Sequence, residues 1–318
     1  MATDMAFRQR HVAFDLEANG FYHYPEKVCL LQLAMPGNVY LIDTLALNNL
    51  APIGKLIADE SVEKIFHSAS YDIRSLDRDW GFKINNLFDT SIAASFLGSE
   101  KLGLAAVLKE YLDINVNKDK KLQRADWSRR PLGDELMKYA IDDVRYLNLL
   151  RRFLYDKLKN LGRLDWVREE CIRLAASNKY SSPDPEWSFL TVKGSRTLDG
   201  QRLTILRSIF KFRENEAIRR DIPPFKVFSN AVIMSLVVSP DLQPSRVKGI
   251  GRYGSGRELS GLTQAILDGV NSPVISRPTL KQRPKSIGNS EHQKVIKERL
   301  HRLKEWRLLH ANRIKLDG

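Results

Sequence analysis

An apolar run that ends in two acids, VAFDLEANG at residues 12–20, constrains the fold of this 318-residue chain more than any other feature. The run predicts a buried β-strand, on which positions i and i+2 point to the same face, about 7 Å apart. Asp15 and Glu17 therefore share one face. Because two neighbouring carboxylates repel and resist full ionisation, the pair predicts a divalent metal ion beside this strand.

The net charge of +13 lies entirely in the second half of the chain. Residues 1–165 contain 23 Lys/Arg and 23 Asp/Glu, whereas residues 166–318 contain 28 Lys/Arg and 15 Asp/Glu. A polycationic half is the electrostatic footprint of a nucleic-acid-binding protein. A basic surface that only aids solubility would give the same counts.

The composition, 43% hydrophobic and 28% charged, is that of a soluble globular protein. No apolar run approaches the ~20 residues of a membrane span. The start of the chain, MATDMAFRQRH, has no apolar segment of the secretory type. Cys29 and Cys171 are predicted to be buried thiols in a reducing compartment. We therefore expect a cytoplasmic protein with no membrane partner.

The first 165 residues predict an α/β fold. The runs HVAFDLE, VCLLQLAM and NVYLID follow one another through short turns, which favours an antiparallel meander, and VEKIFHSA predicts a fourth strand. Helical periodicity follows in IGKLIAD, YDIRSLDRDWG and LGLAAVLKEYL, and again between Gly133 and Ser177. This order predicts a mixed sheet with helices packed on its faces.

Further acids stand where the fold could bring them to the first strand. Asp72 begins a predicted helix, and Asp143 follows Tyr139 by four residues, which places both on one helical face with Cβ atoms roughly 5–6 Å apart. Asp142 points about 100° away around that helix. Each of these acids also has a purely structural explanation. Asp72 could be present because an acid stabilises the positive end of a helix dipole, and Asp143 could be an acid exposed to solvent.

In order and spacing these segments resemble the DEDD family of 3′–5′ exonucleases, in the branch with Tyr in the third motif. The resemblance rests on D-x-E in the first strand, an Asp after HSAS, and Y-x-x-x-D. The further segments LLQLA, YLIDTL, LFDTSIAASFLG and ADWSRRPL stand in the order typical of the ribonuclease D group. The similarity covers nearly all of residues 11–160.

The second half resembles an HRDC domain, an all-α nucleic-acid-binding module, in LRSIFKFRENEAIRRDIPP and VKGIGRYGSGRELSGLTQAI. GIGRYG matches G-x-G-x-x-G, but no strand precedes it, so we interpret it as a turn between helices and not as a dinucleotide site. The predicted organisation is a ribonuclease H-like exonuclease domain over 1–177, a linker over 178–197, an HRDC domain over 198–271, a basic linker over 272–290 and a C-terminal helix over 291–318.

The resemblance implies a two-metal site for Mg²⁺ or Mn²⁺. Asp15 would bridge both ions, Glu17 and Asp143 would complete one, and Asp72 would support the other, directly or through water. Tyr139 would orient the attacking water, because a phenol with a free pKa near 10 is a poor base at neutral pH. The expected product is a nucleoside 5′-monophosphate released from a 3′ end.

Other residues are candidates for contact with nucleic acid. His67 either faces the scissile bond or is a core histidine, and Arg130 either contacts phosphate or anchors a loop through a salt bridge. Ala18 and Asn19 stand where the family commonly has an aromatic residue, so Phe21 or Tyr22 is the candidate for stacking on the terminal base.

RNA is the partner that the resemblance implies, in the form of tRNA precursors or other structured 3′ ends. We infer no obligate protein partner. Two alternatives stay open: a DNA 3′–5′ exonuclease with the same chemistry, since no motif reports a 2′-hydroxyl contact, and a binding adaptor that kept the fold without catalysis. The presence of all four carboxylates and of Tyr139 argues against the adaptor.

Overall fold

Residues 2–117, 119–178, 180–181, 184–278, 290–314 and 316 are described by the structure, a computed structural model. They form two compact units. The first unit combines the described residues of 1–19, 27–180 and 286–318, and the second combines those of 20–26 and 181–285. In the described part of the chain no helix is both long and apolar enough to cross a membrane.

The first unit is built on one mixed sheet. Its strands are β1 His11–Ala18, β2 Val28–Met35, β3 Asn38–Asp43, β4 Glu63–Phe66 and β5 Leu87–Asp89. They lie in the order β3-β2-β1-β4-β5. The first three pair antiparallel, as predicted, because short connections join them, and Gly37 adopts a φ of +81° in the turn between β2 and β3. Strand β4 pairs parallel with β1 and with β5.

Helices cover this sheet. They are α1 Ala2–Ala6, α2 Ala51–Ala58, α3 Ser70–Trp80, α4 Thr90–Ser95, α5 Leu104–Leu112, α6 Lys120–Gln123, α7 Asp134–Val144, α8 Leu147–Asn160 and α9 Leu164–Ser177. Strand β2 is buried along its whole length, and α7 packs against β1, β2 and β3. The helical stretch expected between Gly133 and Ser177 is therefore three consecutive helices. The predicted α/β fold with a mixed sheet is confirmed.

The second unit is all-helical, as predicted for an HRDC domain. It contains α10 Gly200–Arg220, α11 Pro224–Val227, α12 Asn230–Val238 and α13 Gly256–Asn271, with 3₁₀ turns at Ser188–Thr191, Ser195–Thr197, Pro244–Arg246 and Gly251–Gly254. GIGRYG thus precedes α13 as a tight turn. Gly249 and Gly251 have φ values of +87° and +58°, which residues with a side chain rarely adopt.

The compact units differ from the predicted domain boundaries at three places. Phe189 and Val192, inside the predicted linker, are buried in the core of the second unit. The segment Gly20–Glu26 also belongs to that unit, where Tyr24 donates a backbone N–H to Asp221 at 3.1 Å. The predicted C-terminal helix is present as α14, Ser290–Arg313, and clusters with the first unit. Residues 279–289 of the predicted basic linker lie outside the described residues.

Strand β4 carries a lysine at a fully buried position. Lys64 is 0% exposed, and its ammonium donates to the backbone carbonyls of Asp59 and Val62. Burial lowers the pKa of Lys64 to about 8, although Asp59, Glu63 and Glu60 oppose the shift. Between pH 8 and the usual lysine pKa of 10.5, the unfolded chain therefore binds more protons at this position than the folded chain does.

We expect Lys64→Met to remove a pH dependence of stability. Relative to the variant, the wild-type free energy of unfolding should rise as pH increases from 8 to about 10.5, because only the unfolded state still gives up a proton there. Urea unfolding at pH 7, 8, 9 and 10 measures the difference. Parallel curves for the two proteins across this range would contradict the assignment.

Candidate active site

The two acids of β1 lie on one face, as the strand pattern predicts. Asp15 is opposite Gln32 and Glu17 is opposite Leu30 in the pairing with β2. Both carboxylates line one cavity of about 580 Å³ in the first unit. The pairing with β2 shifts register between Glu17 and Ala18, and β1 ends at Ala18, one residue after the second acid.

Helix α7 adds a third carboxylate to this pair. Asp143 is buried, and its carboxylate oxygen lies with one oxygen each of Asp15 and Glu17 such that all three are within 4.8 Å of one another. Asp142 projects away from the cavity and pairs with Arg145 at 3.2 Å. We call Asp15, Glu17 and Asp143 the acidic trio.

Asp72 lines the same cavity but is not one of the acidic trio. It lies in the first turn of α3 and is 5% exposed. Burial raises the pKa of Asp72 to about 7; its backbone hydrogen bond opposes this shift, and the nearby carboxylate of Asp89 adds to it. A cation in the cavity would favour the ionised form of this group.

Tyr139 completes the predicted set, four residues before Asp143 on α7. It is 5% exposed, and its ring packs against the fully buried Trp127 at 6.1 Å between centroids. Burial raises the pKa of the Tyr139 hydroxyl far above its usual value, and the carboxylates of the acidic trio add to this effect. The phenol therefore keeps its proton at neutral pH and acts as a hydrogen-bond donor.

The donor set of this cavity fits a hard divalent cation. The acidic trio offers only carboxylate oxygens, which Mg²⁺ and Mn²⁺ prefer, whereas zinc sites typically include nitrogen or sulfur ligands. Negative groups this close in a largely buried cavity need a positive charge between them. The structure thus brings Asp15, Glu17, Asp72, Tyr139 and Asp143 to one cavity, while the role of each stays a prediction.

Sequence analysis missed several lining residues, of which Tyr71, Lys120 and Gln123 matter most for nucleic-acid contact. Tyr71, next to Asp72 on α3, is 41% exposed, and Lys120 and Gln123 come from α6. Helix α6 has only four residues, in a charged stretch without periodicity, so nothing in the sequence marks it as part of a site. Among the described residues that line this cavity, Lys120 is the one lysine or arginine.

His67 also lines the cavity, at the end of β4. Its Nδ1 lies 2.9 Å from the hydroxyl of Thr90, and that hydroxyl donates its own hydrogen to the carbonyl of Phe66 at 3.0 Å. The threonine oxygen must therefore accept from His67, which places a proton on Nδ1 of the imidazole. A contact between His67 and nucleic acid stays a prediction.

Arg130 is not among the residues that line the cavity. Its guanidinium forms a two-pronged ion pair with Asp43, at 2.6 and 2.8 Å, and also donates to the carbonyls of Cys29, Trp127 and Arg129. This geometry matches the loop-anchoring alternative. Phosphate binding by Arg130 stays a prediction that the cavity does not support.

Comparison with known proteins gives the class of this chain first. The family model described as 3′–5′ exonuclease matches residues 3–161, which is half of the sequence and includes the acidic trio, Asp72 and Tyr139. The chain therefore belongs to the 3′–5′ exonuclease family, and the matched segment carries the carboxylates of its acidic cavity.

Curated relatives narrow this class. The ribonuclease D of Granulibacter bethesdensis is 31% identical over 280 residues, a stretch that covers 86% of this chain and 70% of the relative. The chain belongs to the ribonuclease D family of 3′–5′ exoribonucleases. It spans about two thirds of the length of the curated relatives that it matches.

Solved structures agree with this assignment. The catalytic core of RRP6 from Trypanosoma brucei matches with a TM-score of 0.70 and 27% identity, over 85% of this chain and 76% of that one. Escherichia coli RNase D matches with a TM-score of 0.74 over 99% of this chain and 83% of its own, and at 22% identity it supports the fold alone.

The acidic trio should bind Mn²⁺ in the absence of nucleic acid. We expect Asp143→Asn to weaken this binding by at least about tenfold, because even the partners of metal ligands typically contribute that much to metal affinity. Mn²⁺ titration followed by electron paramagnetic resonance measures it. Asp142→Asn is the matched control, since its carboxylate belongs to the other side of α7 and should leave the affinity unchanged. Equal losses in both variants would exclude the acidic trio as the ion site.

Proposed function

We propose that this chain is a metal-dependent exoribonuclease that removes nucleoside 5′-monophosphates one at a time from the 3′ ends of RNA. The observation that carries the proposal is the convergence of the acidic trio, Asp72 and Tyr139 on one cavity of about 580 Å³. Since the chain spans only about two thirds of its curated relatives, the activity of the whole protein belongs to this proposal.

Two divalent cations, Mg²⁺ or Mn²⁺, fit the carboxylates of the cavity. Asp15, Glu17 and Asp143 would hold one ion, and Asp15 with Asp72 the other, directly or through water. When bound, such ions would lower the pKa of a coordinated water and neutralise the negative charge that develops on the oxygens around the phosphorus. The chain itself supplies the spacing, because β1, α3 and α7 hold these carboxylates on packed elements.

Tyr139 has the role of orienting the attacking water. Its hydroxyl remains protonated at neutral pH, as burial and three neighbouring carboxylates dictate, so it cannot accept the proton of that water as a phenolate. It can donate one hydrogen bond and accept another. A group of this kind fixes the direction of attack without itself carrying charge.

The remaining lining residues suit a terminal nucleotide. Tyr71 presents an exposed ring on which a base could stack, at a position adjacent to Asp72, and Leu16 and Leu104 add apolar surface. Tyr71 is a further stacking candidate beside Phe21 and Tyr22, because its ring lines the cavity. Lys120 provides a cation for a phosphate that neighbours the scissile bond.

Structured RNA, including tRNA precursors, is the proposed substrate class. Its support is membership of the ribonuclease D family. The positive charge of residues 166–318 would contribute binding that does not depend on base sequence. We propose a cytoplasmic protein with no obligate protein partner.

Degradation of a 5′-labelled RNA with a single-stranded 3′ end tests the function. With Mn²⁺ or Mg²⁺ we expect a ladder that shortens from the 3′ end, abolished by chelator and reduced at least ~100-fold in Asp143→Asn, since a ligand that holds the reacting groups is lost. Matched DNA run in parallel gives the substrate preference, and Asp142→Asn should behave as wild type. Tight RNA binding without cleavage in any metal would favour the adaptor instead.

Lys120→Ala should raise KM for RNA by several-fold while leaving kcat nearly unchanged, because a lysine that contacts phosphate contributes uniform binding. The slope of log KM against log salt concentration should also fall by about one, because one fewer counterion is released on binding. Steady-state kinetics at 50 to 200 mM salt measures both. Lys121→Ala is the control, since Lys121 is on the same short helix but does not line the cavity. The same KM change in both variants would indicate a general surface charge effect.

A further inference from the structure

The last residue of β5, Asp89, is a buried carboxylate that has no part in the function proposed above. It is 1% exposed and lies opposite Phe66 in the parallel pairing of β4 and β5. Both of its oxygens accept hydrogen bonds from backbone N–H groups. Oδ1 accepts from Ser68 at 3.0 Å and from Ser91 at 2.8 Å, and Oδ2 accepts from Ala69 at 2.8 Å.

Only one of these oxygens is needed to cap a helix. Asp89 is the N-cap residue of α4, and Oδ1 alone accepts from the backbone of Ser91 and Ile92 and from the Ser91 hydroxyl. A serine or asparagine would serve that purpose equally well. The hydrogen bonds from α4 all go to Oδ1, whereas Oδ2 accepts from Ala69 in the turn that follows β4.

That turn determines where α3 begins. Ser68 has a φ of +63°, a left-handed conformation that is unfavourable for a residue with a side chain. Ala69 is the N-cap residue of α3 and offers no side-chain hydrogen bond to the helix. The Asp89 carboxylate holds both backbone N–H groups and so fixes the start of the helix, three residues before Asp72.

The residue after Asp89 holds the side chain of the same turn. Thr90 is fully buried, and its hydroxyl joins the ring of His67 to the carbonyl of Phe66. Two consecutive residues at the end of β5 thus fix the backbone and the imidazole of residues 67–69. We call this pair the Asp89–Thr90 clamp.

We propose that Asp89 is a positioning residue that holds Asp72 in place as a metal ligand through the turn at 68–69. The proposal rests on the proposed function, in which Asp72 supports one of the ions. A negative charge at position 89 has an electrostatic cost, because Asp89 makes ionisation of Asp72 harder. The second oxygen gives the reason why a carboxylate is useful there in spite of this cost.

Asp89→Asn in the full chain tests the proposal. The amide keeps one acceptor oxygen and turns an NH₂ group toward a backbone N–H that needs an acceptor, so the turn must shift. We expect weaker Mn²⁺ binding without RNA, a higher Mn²⁺ concentration for half-maximal cleavage and a 10- to 100-fold lower kcat, as is typical of residues that support metal ligands. KM for RNA should change by less than about twofold.

Asp199→Asn is the matched control, because Asp199 is likewise an N-cap aspartate and accepts from Arg202 N–H at 2.9 Å at the start of α10. It should leave both the melting temperature and Mn²⁺ binding nearly unchanged, because asparagine caps a helix about as well as aspartate does. If Asp89→Asn behaves in the same way, Asp89 is only a helix cap and the proposal is overturned.

A second variant keeps the test decisive if Asp89→Asn does not fold. Thr90→Val removes the other contact of the clamp at nearly constant volume, and we expect several-fold weaker Mn²⁺ binding in it; wild-type binding in a folded Thr90→Val protein would count against the proposal. Mn²⁺ binding is measured without RNA. If the wild-type protein binds Mn²⁺ but cleaves no RNA, the proposed exonuclease function is refuted. The role of Asp89 is then still tested by comparing Mn²⁺ binding in the variants.

Discussion

Repulsion between carboxylates is the constraint on which the rest of this structure depends. The oxygens of the acidic trio lie within 4.8 Å of one another, and two unit charges about 4 Å apart repel by about 4 kcal/mol at an effective dielectric constant of 20. A flexible loop would relax by moving the charges apart. The acids instead lie on a central strand and on a helix packed against it, so the core resists that relaxation and keeps the cavity ready for a cation.

Strand direction explains why the site forms where it does. Strands β1, β4 and β5 run parallel, so their carboxyl ends meet at one edge of the sheet. The acids of β1, the turn that leads from β4 into α3, and Asp89 at the end of β5 all lie at this edge. Each strand contributes something different. Strand β1 carries two of the proposed ligands, β4 leads into the turn before Asp72, and β5 ends in the carboxylate that holds this turn.

Much of this arrangement follows from local sequence patterns. The apolar run with acids at its end identifies β1, and the four-residue spacing places Tyr139 and Asp143 on one face of α7, because both patterns depend only on backbone periodicity. Strand β5 has three residues, too few to show alternation, and its role depends on Asp89 accepting from residues about 20 positions earlier. Similarly, Phe189 and Val192 lie in a Ser/Pro-rich stretch that reads as a linker, and only tertiary packing shows that they are core residues.

The same repulsion gives a reason for the unequal charge of residues 1–165 and 166–318. A cavity lined by four carboxylates and a single lysine repels a phosphate backbone until cations are bound, so it cannot capture RNA by itself. On the proposed function, affinity for RNA would come from positive charge elsewhere in the chain, where it does not compete with the metal ligands. Residues 166–318, with 28 Lys/Arg against 15 Asp/Glu, have that charge, whereas residues 1–165 are balanced. On the proposed function, this division along the sequence would let residues 1–165 keep a negative site inside a neutral segment while residues 166–318 attract the polyanion.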